Sequence, residues 1–186
     1  MAPLPRVLAL NKPRGVLVST VPEAGATTVF ALLAPPYDRW WCVGRLDKDT
    51  EGLLLLCDDP AVAQRLMEPD GVPKTYLATV RGLPTDEDLE PIRRGGDPLD
   101  GHPLRPVEVR RLGTERRGKS RLELVLREGR RRQIRRQLYA AGHRVRHLVR
   151  LAVGPVHLGD LAPGEHRELS RNEVAALLAE LERQRA

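Results

Sequence analysis

The order of apolar and polar positions along the 186 residues predicts a chain rich in strands. The clearest case is the run 53–57, where consecutive leucines cannot leave one face in water, so this strand must be covered on both sides. The first two strands would be joined by a turn at 12–15, and the pair 105–111 and 121–126 by the charged loop 113–119. The predicted strands span 7–11, 16–20, 41–43, 53–57, 75–80, 105–111, 121–126 and 145–153.

Helices are predicted from 60 to about 67, from 85 to about 95, over 133–141, and from 170 onward. Three of them begin behind side chains that can cap free backbone N–H groups, namely Asp59, Thr85 with Asp88, and Ser170 with Glu173. Because strands and helices mix without a regular alternation, the predicted fold is α+β, with a mostly antiparallel or mixed central sheet flanked by short helices.

The length and the 41% hydrophobic content suit one domain with a substantial core, or two small lobes that share an interface. No apolar run approaches the roughly 20 residues that span a bilayer, and residues 1–6 do not resemble a signal peptide. We therefore expect a cytoplasmic protein without a membrane association, with residues 1–186 as a single domain.

Charge adds a polyanionic partner to this picture. The net charge is +6, and all but four of the 31 basic residues are arginines, whose planar donor fork suits phosphates and base edges. A compositional bias toward arginine accounts for at least half of that total. Such a bias does not explain where the arginines cluster.

An acidic and basic cluster lies between Gly44 and Gly52, directly before the leucine-rich strand. Burial and charged partners fix ionisation at such places, so a catalytic role for Asp47 is one interpretation. In an extended segment Arg45 and Asp47 project to the same side. The alternative is a capped loop in which Asp47 and Asp49 only bind backbone donors, and the residues alone leave both open.

Arginines crowd the segment 127–138, at the start of a predicted helix. Arg131 and Arg135 share a helix face, as do Arg132 and Arg136, and like charges at this spacing repel each other. Positive charge at a helix N-terminus also opposes the helix dipole. A phosphate backbone or a buried carboxylate should compensate, and the clustering favours nucleic acid over a merely solvated basic face.

Tyr76 is one of few aromatic residues, and from the residues alone a place in the core is favoured over stacking on a base. Cys42 and Cys57 lack a metal-ligand spacing, so we expect two reduced, packed thiols. His143 and His147 are four residues apart but lack the glutamate of a zinc-binding helix. The sequence therefore predicts no metal site.

Taken together, these segments resemble the bacterial ribosomal pseudouridine synthases of the RsuA/RluB/RluE/RluF group. The resemblance covers nearly the whole chain in the family's order, at 11–16, 44–56, 74–76, 128–136, 142–145, 150–155 and 158–169. Many members carry an N-terminal S4-type RNA-binding domain, for which this chain leaves no room before residue 12, so the E-type large-subunit synthase is the most similar kind. Arg131 and Gln137 stand where the group often has Asn and Met, which affects expected RNA contacts more than chemistry.

The resemblance implies the pseudouridine synthase catalytic fold, with two sub-lobes around a basic cleft, and a cofactor-independent isomerisation of a uridine in ribosomal RNA, most simply 23S rRNA. Asp47 would be the nucleophile, attacking either C1′ of the sugar or C6 of the base, with Arg135 as its counter-ion. Arg45 would assist flipping of the uridine. Tyr76 would stack on the flipped base and help remove the C5 proton, which reverses the preference for a core role. The implied RNA contacts are Lys12, Arg14, Arg130, Arg132 and Arg136.

Two other functions remain open at this point. A non-catalytic RNA-binding or ribosome-assembly protein on the same scaffold would have the same basic charge, but it has no need of an ionised carboxylate among phosphates. A synthase acting on 16S rRNA or tRNA is the other. The family analogy also implies a monomer.

Overall fold

The structure is a computed structural model that describes residues 4–21, 24–68 and 71–183. Within these ranges the chain forms four α-helices and nine strands, which confirms the predicted α+β class. The helices are α1 Pro60–Met67, α2 Asp86–Arg93, α3 Gln133–Ala140 and α4 Arg171–Arg183. The strands are β1 Val7–Lys12, β2 Trp41–Val43, β3 Glu51–Cys57, β4 Lys74–Arg81, β5 Glu108–Glu115, β6 Lys119–Leu126, β7 Val145–Val153, β8 Val156–His157 and β9 His166–Glu168.

All described strands belong to one mixed sheet in the order β5-β6-β4-β7-β3-β1-β9, with β2 beside β3 and β8 beside β7. Every pairing is antiparallel except that of β3 with β7, which joins two antiparallel halves through the pairs Glu51–Val149 and Gly52–Arg150. We call this short parallel pairing the joint. A side chain at Gly52 would place its Cβ 2.3 Å from the Arg150 carbonyl oxygen, and the φ of +102° also favours glycine. Gly52 therefore allows the two halves to approach.

In the first half of the sheet, formed by β1, β2, β3 and β9, the strands β1 and β3 are buried on both faces. Alternate leucines of β3 point to opposite sides. Leu53 and Leu55 pack under α1 and α4, while Leu54 and Leu56 pack under the segment 16–46. Each fully buried leucine contributes about 1.5–3 kcal/mol of hydrophobic stabilisation. The prediction that this strand is covered on both faces is confirmed.

The second half, formed by β4–β7 with the short β8, packs one face against α2 and α3. Leu89 of α2 and Leu138 of α3 lie over Ala78, Leu122 and Leu124 of the strands. The two halves thus have different apolar clusters, although Val153 of β7 and Val156 of β8 pack in the cluster of the first half. The two halves agree with the predicted pair of sub-lobes, and the joint lies between the two halves.

The predicted helix starts are confirmed by their caps. Asp59 Oδ1 accepts hydrogen bonds from the backbone N–H groups of Ala61 and Val62, at 2.8 and 3.2 Å. Thr85 with Asp88, and Ser170 with Glu173, form the expected reciprocal hydrogen bonds. In each case the side chain satisfies backbone donors that the first helical turn leaves free.

The predicted strand 16–20 is wrong. This segment makes only a single bridge, between Leu17 and Thr28, because both edges of β1 are already occupied by β3 and β9. Its alternating apolar side chains still enter the core, where Val16 and Val18 are buried. The predicted loop 113–119 is also too long, since β5 and β6 extend to a tight turn in which Arg117 and Gly118 have positive φ.

Both cysteines are free thiols. Burial raises the pKa of Cys42 to about 12 and that of Cys57 to about 11, so both thiols are protonated and unreactive at neutral pH. Among the helices of the described ranges, none is long and apolar enough to cross a bilayer.

Candidate active site

The segment 44–50, which we call the acidic loop, leads from β2 to the joint. Gly44 turns the chain with a φ of +78°, and the Thr50 N–H donates to the Asp47 carbonyl at 3.0 Å, which closes a tight turn. Leu46 is buried in the core and anchors the loop. Arg45 on one side of it is exposed, and the Asp47 side chain on the other is 34% exposed. The loop therefore holds Asp47 at the surface on a rigid base.

The acidic loop is tied to the start of α3 by arginine. Arg132 donates from both terminal nitrogens to the Asp49 carboxylate, at 2.9 and 3.1 Å, and its Nη1 lies 3.7 Å from Asp47 Oδ2. Arg135 donates to the Asp49 carbonyl at 2.8 Å and lies 3.4 Å from the Asp49 carboxylate. The carboxylates of one half thus compensate the arginines of the other, as the crowded helix start required.

The expected pairing of Asp47 with Arg135 takes a different form in the structure. Arg135 contacts Asp49, while Arg132 approaches Asp47. The Arg135 side chain is only 11% exposed, and its Nε is buried without a hydrogen bond. A direct ion pair between Arg135 and Asp47 is therefore not formed here, and the role of Arg135 stays a prediction.

These contacts also shift the pKa values of Asp49, Arg132 and Arg135. Burial alone would raise the pKa of Asp49, but the hydrogen bonds from Arg132 and the charges of Arg135 and Arg132 hold it below its usual value. The same hydrogen bonds raise the pKa of Arg132, whereas burial lowers that of Arg135. Asp49 is therefore ionised at neutral pH and acts as the anchor of the loop.

The position of Lys12 differs from the predicted one. It was predicted to contact RNA, but its side chain is fully buried, and its ammonium donates to the carbonyls of Pro13 and Val16 at 2.9 and 2.7 Å. Burial lowers its pKa to about 8, against the opposing charges of Glu51, Asp49 and Asp47. Lys12 is therefore a structural cation near the acidic loop and is closed to RNA.

The other predicted RNA contacts differ in whether a carboxylate of the protein already pairs with them. Arg14 is exposed. Arg130 lies 4.0 Å from Glu128, and Arg136 binds Asp100 through two hydrogen bonds of 2.9 and 3.1 Å. An RNA phosphate would have to compete with these carboxylates at Arg130, Arg132 and Arg136, so their contacts with RNA stay predictions.

Tyr76 lies on β4 in register with the joint. It pairs with Arg150 of β7, which in turn pairs with Gly52, so Tyr76 is two strand spacings, roughly 10 Å, from the end of the acidic loop. Its half-buried ring packs against the apolar clusters of both halves. The core role favoured by the residues and the site position implied by the resemblance are therefore compatible.

Arg150 lies in a segment that resembles the family, but the sequence assigns it no role. It is 3% exposed, its Nε donates to the Leu53 carbonyl at 2.7 Å, and its Nη2 is buried without a partner. Lys74 lies nearby, and burial lowers its pKa to about 8 with Arg150 adding repulsion. An arginine inside a β-branched apolar strand was the signal that could have found it.

The geometry supplies a partly exposed carboxylate, Asp47, with Arg132 at 3.7 Å and the ring of Tyr76 two strand spacings from the end of the loop. A carboxylate held in this way can serve as a nucleophile. No group of three potential metal ligands occurs among the described side chains.

Comparisons with known proteins agree with this arrangement. The family model for RNA pseudouridylate synthase matches residues 6–140. The ribosomal large subunit pseudouridine synthase B of Bacillus subtilis is 37% identical over 177 residues, which cover 94% of this chain and 72% of that protein. The large subunit synthase E of Vibrio vulnificus is 35% identical over 179 residues, covering 89% and 75%. A crystal structure of a pseudouridylate synthase superposes with a TM-score of 0.83 at 29% identity, covering 93% of this chain and 74% of that one.

The fold and these relatives define an RNA-modifying enzyme. The chain belongs to the RNA pseudouridylate synthase family, and it is an enzyme that isomerises uridine to pseudouridine. The predicted family and fold are confirmed.

Proposed function

We propose that this enzyme isomerises a specific uridine of 23S ribosomal RNA, with Asp47 as the nucleophile. The observation that carries the proposal is the state of Asp47: it is partly exposed on a buried anchor, and its nearest described cation, Arg132, is already held by Asp49. Asp49 is equally exposed but accepts both hydrogen bonds from Arg132, so Asp47 is the carboxylate left to act on a substrate. The names of the relatives in Bacillus subtilis and Vibrio vulnificus support the large-subunit substrate.

In the proposed reaction, the N1–C1′ bond of the uridine breaks, the base rotates and C5 forms the new bond to C1′. The proton on C5 leaves, and N1 of the product carries one, so the isomerisation needs no net reactant. Asp47 attacks either C1′, displacing the base with the electron pair of the N1–C1′ bond, or C6 of the base. In both routes the carboxylate is released when the new C5–C1′ bond is complete.

The neighbouring residues have separate proposed roles. The target atoms are out of reach in a stacked helix, so the uridine is flipped out, and exposed Arg45 occupies the space that it leaves. The flipped base stacks on Tyr76, which also helps to remove the C5 proton. Arg135 holds the loop through the Asp49 carbonyl and keeps positive charge near Asp47. We further propose that the enzyme works as a monomer in the cytoplasm.

The test is tritium release from 23S rRNA transcripts that carry [5-³H]uridine. We expect Asp47→Asn to abolish release while RNA binding persists, because the amide keeps the shape but loses the nucleophilic charge. Asp97→Asn is the matched control, since Asp97 is exposed and distant in sequence from the acidic loop. Undiminished release by Asp47→Asn would refute the assignment of the nucleophile, and no release by the wild type would refute 23S rRNA as the substrate.

A further inference from the structure

A basic pocket of about 480 Å³ lies at the end of the second half away from the joint. Its lining consists of Arg81, Gly82, Gly142, His143, Arg144 and Arg146. Arg146 lies four residues before Arg150 on β7, which places the pocket roughly 13 Å along the strand from the joint. None of the residues implied in catalysis or in RNA contact by the sequence lines this pocket.

The arginines of this pocket are free of carboxylates, unlike Arg132 and Arg135 at the start of α3. Arg81, Arg144 and Arg146 are exposed, and none of their guanidinium groups has an ion pair within the described ranges. The carboxylate that touches a pocket residue is that of Asp88, and its Oδ2 is already engaged by His143 Nε2 at 3.2 Å and by the Thr85 N–H at 2.8 Å. The positive charge of the pocket is therefore available to an outside anion.

The backbone is shaped to present these side chains. Between the pairs Thr79–His147 and Val80–Val145 the register shifts, so Arg146 is an extra residue without a partner on β4, a β-bulge. Bulges re-aim side chains and are frequent near functional sites. At the last residue of β4, the Arg81 N–H donates a hydrogen bond of 3.0 Å to the carbonyl of Arg144, the residue directly before β7, which keeps these arginines side by side.

The pocket is also open and preformed. Gly82 and Gly142 contribute no side chains, and a Cβ at Gly142 would meet nothing within 4 Å. His143 is fixed at both ring nitrogens, since Nδ1 lies 3.1 Å from the Arg81 carbonyl and Nε2 contacts Asp88. Bare backbone beside several guanidinium groups suits a phosphate, which arginine binds through paired N–H donors.

We propose that this pocket binds backbone phosphates of the RNA that flanks the target uridine, so that the substrate extends along β7 from the joint to the Arg146 bulge. The inference rests on the proposed action on ribosomal RNA. Phosphate contacts carry no sequence information, but they fix the orientation and register of the RNA. The pocket thus serves to orient the RNA while the acidic loop performs the chemistry.

The test compares Arg144→Gln/Arg146→Gln with Arg65→Gln/Arg171→Gln, which removes the same charge from α1 and α4 on the other half. Binding of a 23S rRNA transcript is measured at increasing KCl concentration. Each lost contact to single-stranded RNA lowers the slope of log K against log salt by about 0.7, so the pocket variant should lose about 1.4 and the control should match the wild type. For the pocket variant, KM for tritium release should rise about tenfold, while the single-turnover rate at saturating RNA stays within about twofold.

A pocket variant whose slope equals that of the wild type would overturn the inference. Arg144→Lys/Arg146→Lys separates charge from folding: it should keep the wild-type slope, and a slope as low as that of the glutamine variant would also overturn the inference. Because binding is measured without turnover, an inactive wild type would refute the proposed function and still leave the pocket to be judged by its slope.

Discussion

The two halves of the sheet differ in the charge that they bring to the joint. The first half contributes carboxylates, Asp47 and Asp49 on the acidic loop, and the second contributes arginine from the start of α3 together with Tyr76. Neither half contains the site alone. The comparison teaches that the proposed site forms only where the two halves meet, so in the proposed mechanism the geometry of the joint controls the chemistry. Within the second half, the arginines at the joint are paired, while those of the distant pocket are free.

The largest effect is expected from Gly52→Ala, which attacks the joint itself. A Cβ there would overlap the Arg150 carbonyl and would strain a backbone with positive φ, so we expect a loss of about 4 kcal/mol or more in the free energy of unfolding. Urea denaturation measures it. Gly129→Ala is the control, because Gly129 has an ordinary φ and open space around its Cβ position. Equal stability of the two variants would show that the joint tolerates separation.

A smaller effect is expected from Asp49→Asn, which removes the ion pair across the joint. It weakens the two hydrogen bonds from Arg132, and because the Asp49 side chain is about a third exposed we expect a loss of about 1 kcal/mol. The rate of tritium release should nevertheless fall at least about tenfold. Arg132 is then free to pair with Asp47 and to offset the charge of the proposed nucleophile. Asp100→Asn, which breaks the exposed pair with Arg136, should change neither activity nor stability appreciably. Similar activity in both variants would contradict the cross-joint role of Asp49.

The smallest effect lies within the first half, away from the joint. Glu173 accepts two hydrogen bonds from Arg167, at 2.9 and 2.7 Å, and these lower its pKa to about 2. Because the folded pKa lies below the unfolded value near 4.3, its contribution is complete above about pH 4.3 and is lost as the pH falls toward 2. We expect Glu173→Gln to flatten the dependence of Tm on pH in that window by an amount equivalent to at most about 1 kcal/mol, since the pair is screened by solvent. If Tm of Glu173→Gln fell between about pH 4.3 and 2 as steeply as that of the wild type, the proposed contribution of Glu173 would be contradicted.

Much of the scaffold could be predicted from the residues. Period, leucine runs and caps identified the strands and the helix starts because these signals are local. Strand 16–20 failed because pairing needs a free edge, and β1 had none. A short segment does not encode which strand edges other strands already occupy in the folded sheet.

The site was predictable in its residue types and less so in its contacts. The burial of Lys12 and the exchange of partners between Arg132 and Arg135 depend on how the two halves meet, which no short segment encodes. The free arginines of the pocket were hidden for the same reason. Clustering along the chain drew attention to 127–138, yet an arginine binds RNA without competition only where no carboxylate reaches it in the folded protein.

The most direct test of the central claim is made on the ribosome itself. Pseudouridines in 23S rRNA would be mapped in a strain that lacks this enzyme and in the same strain supplied with the wild type or with Asp47→Asn. We predict that one pseudouridine disappears in the deletion strain, returns with the wild type and stays absent with Asp47→Asn. An unchanged 23S map in the deletion strain, or a site restored by Asp47→Asn, would contradict the account.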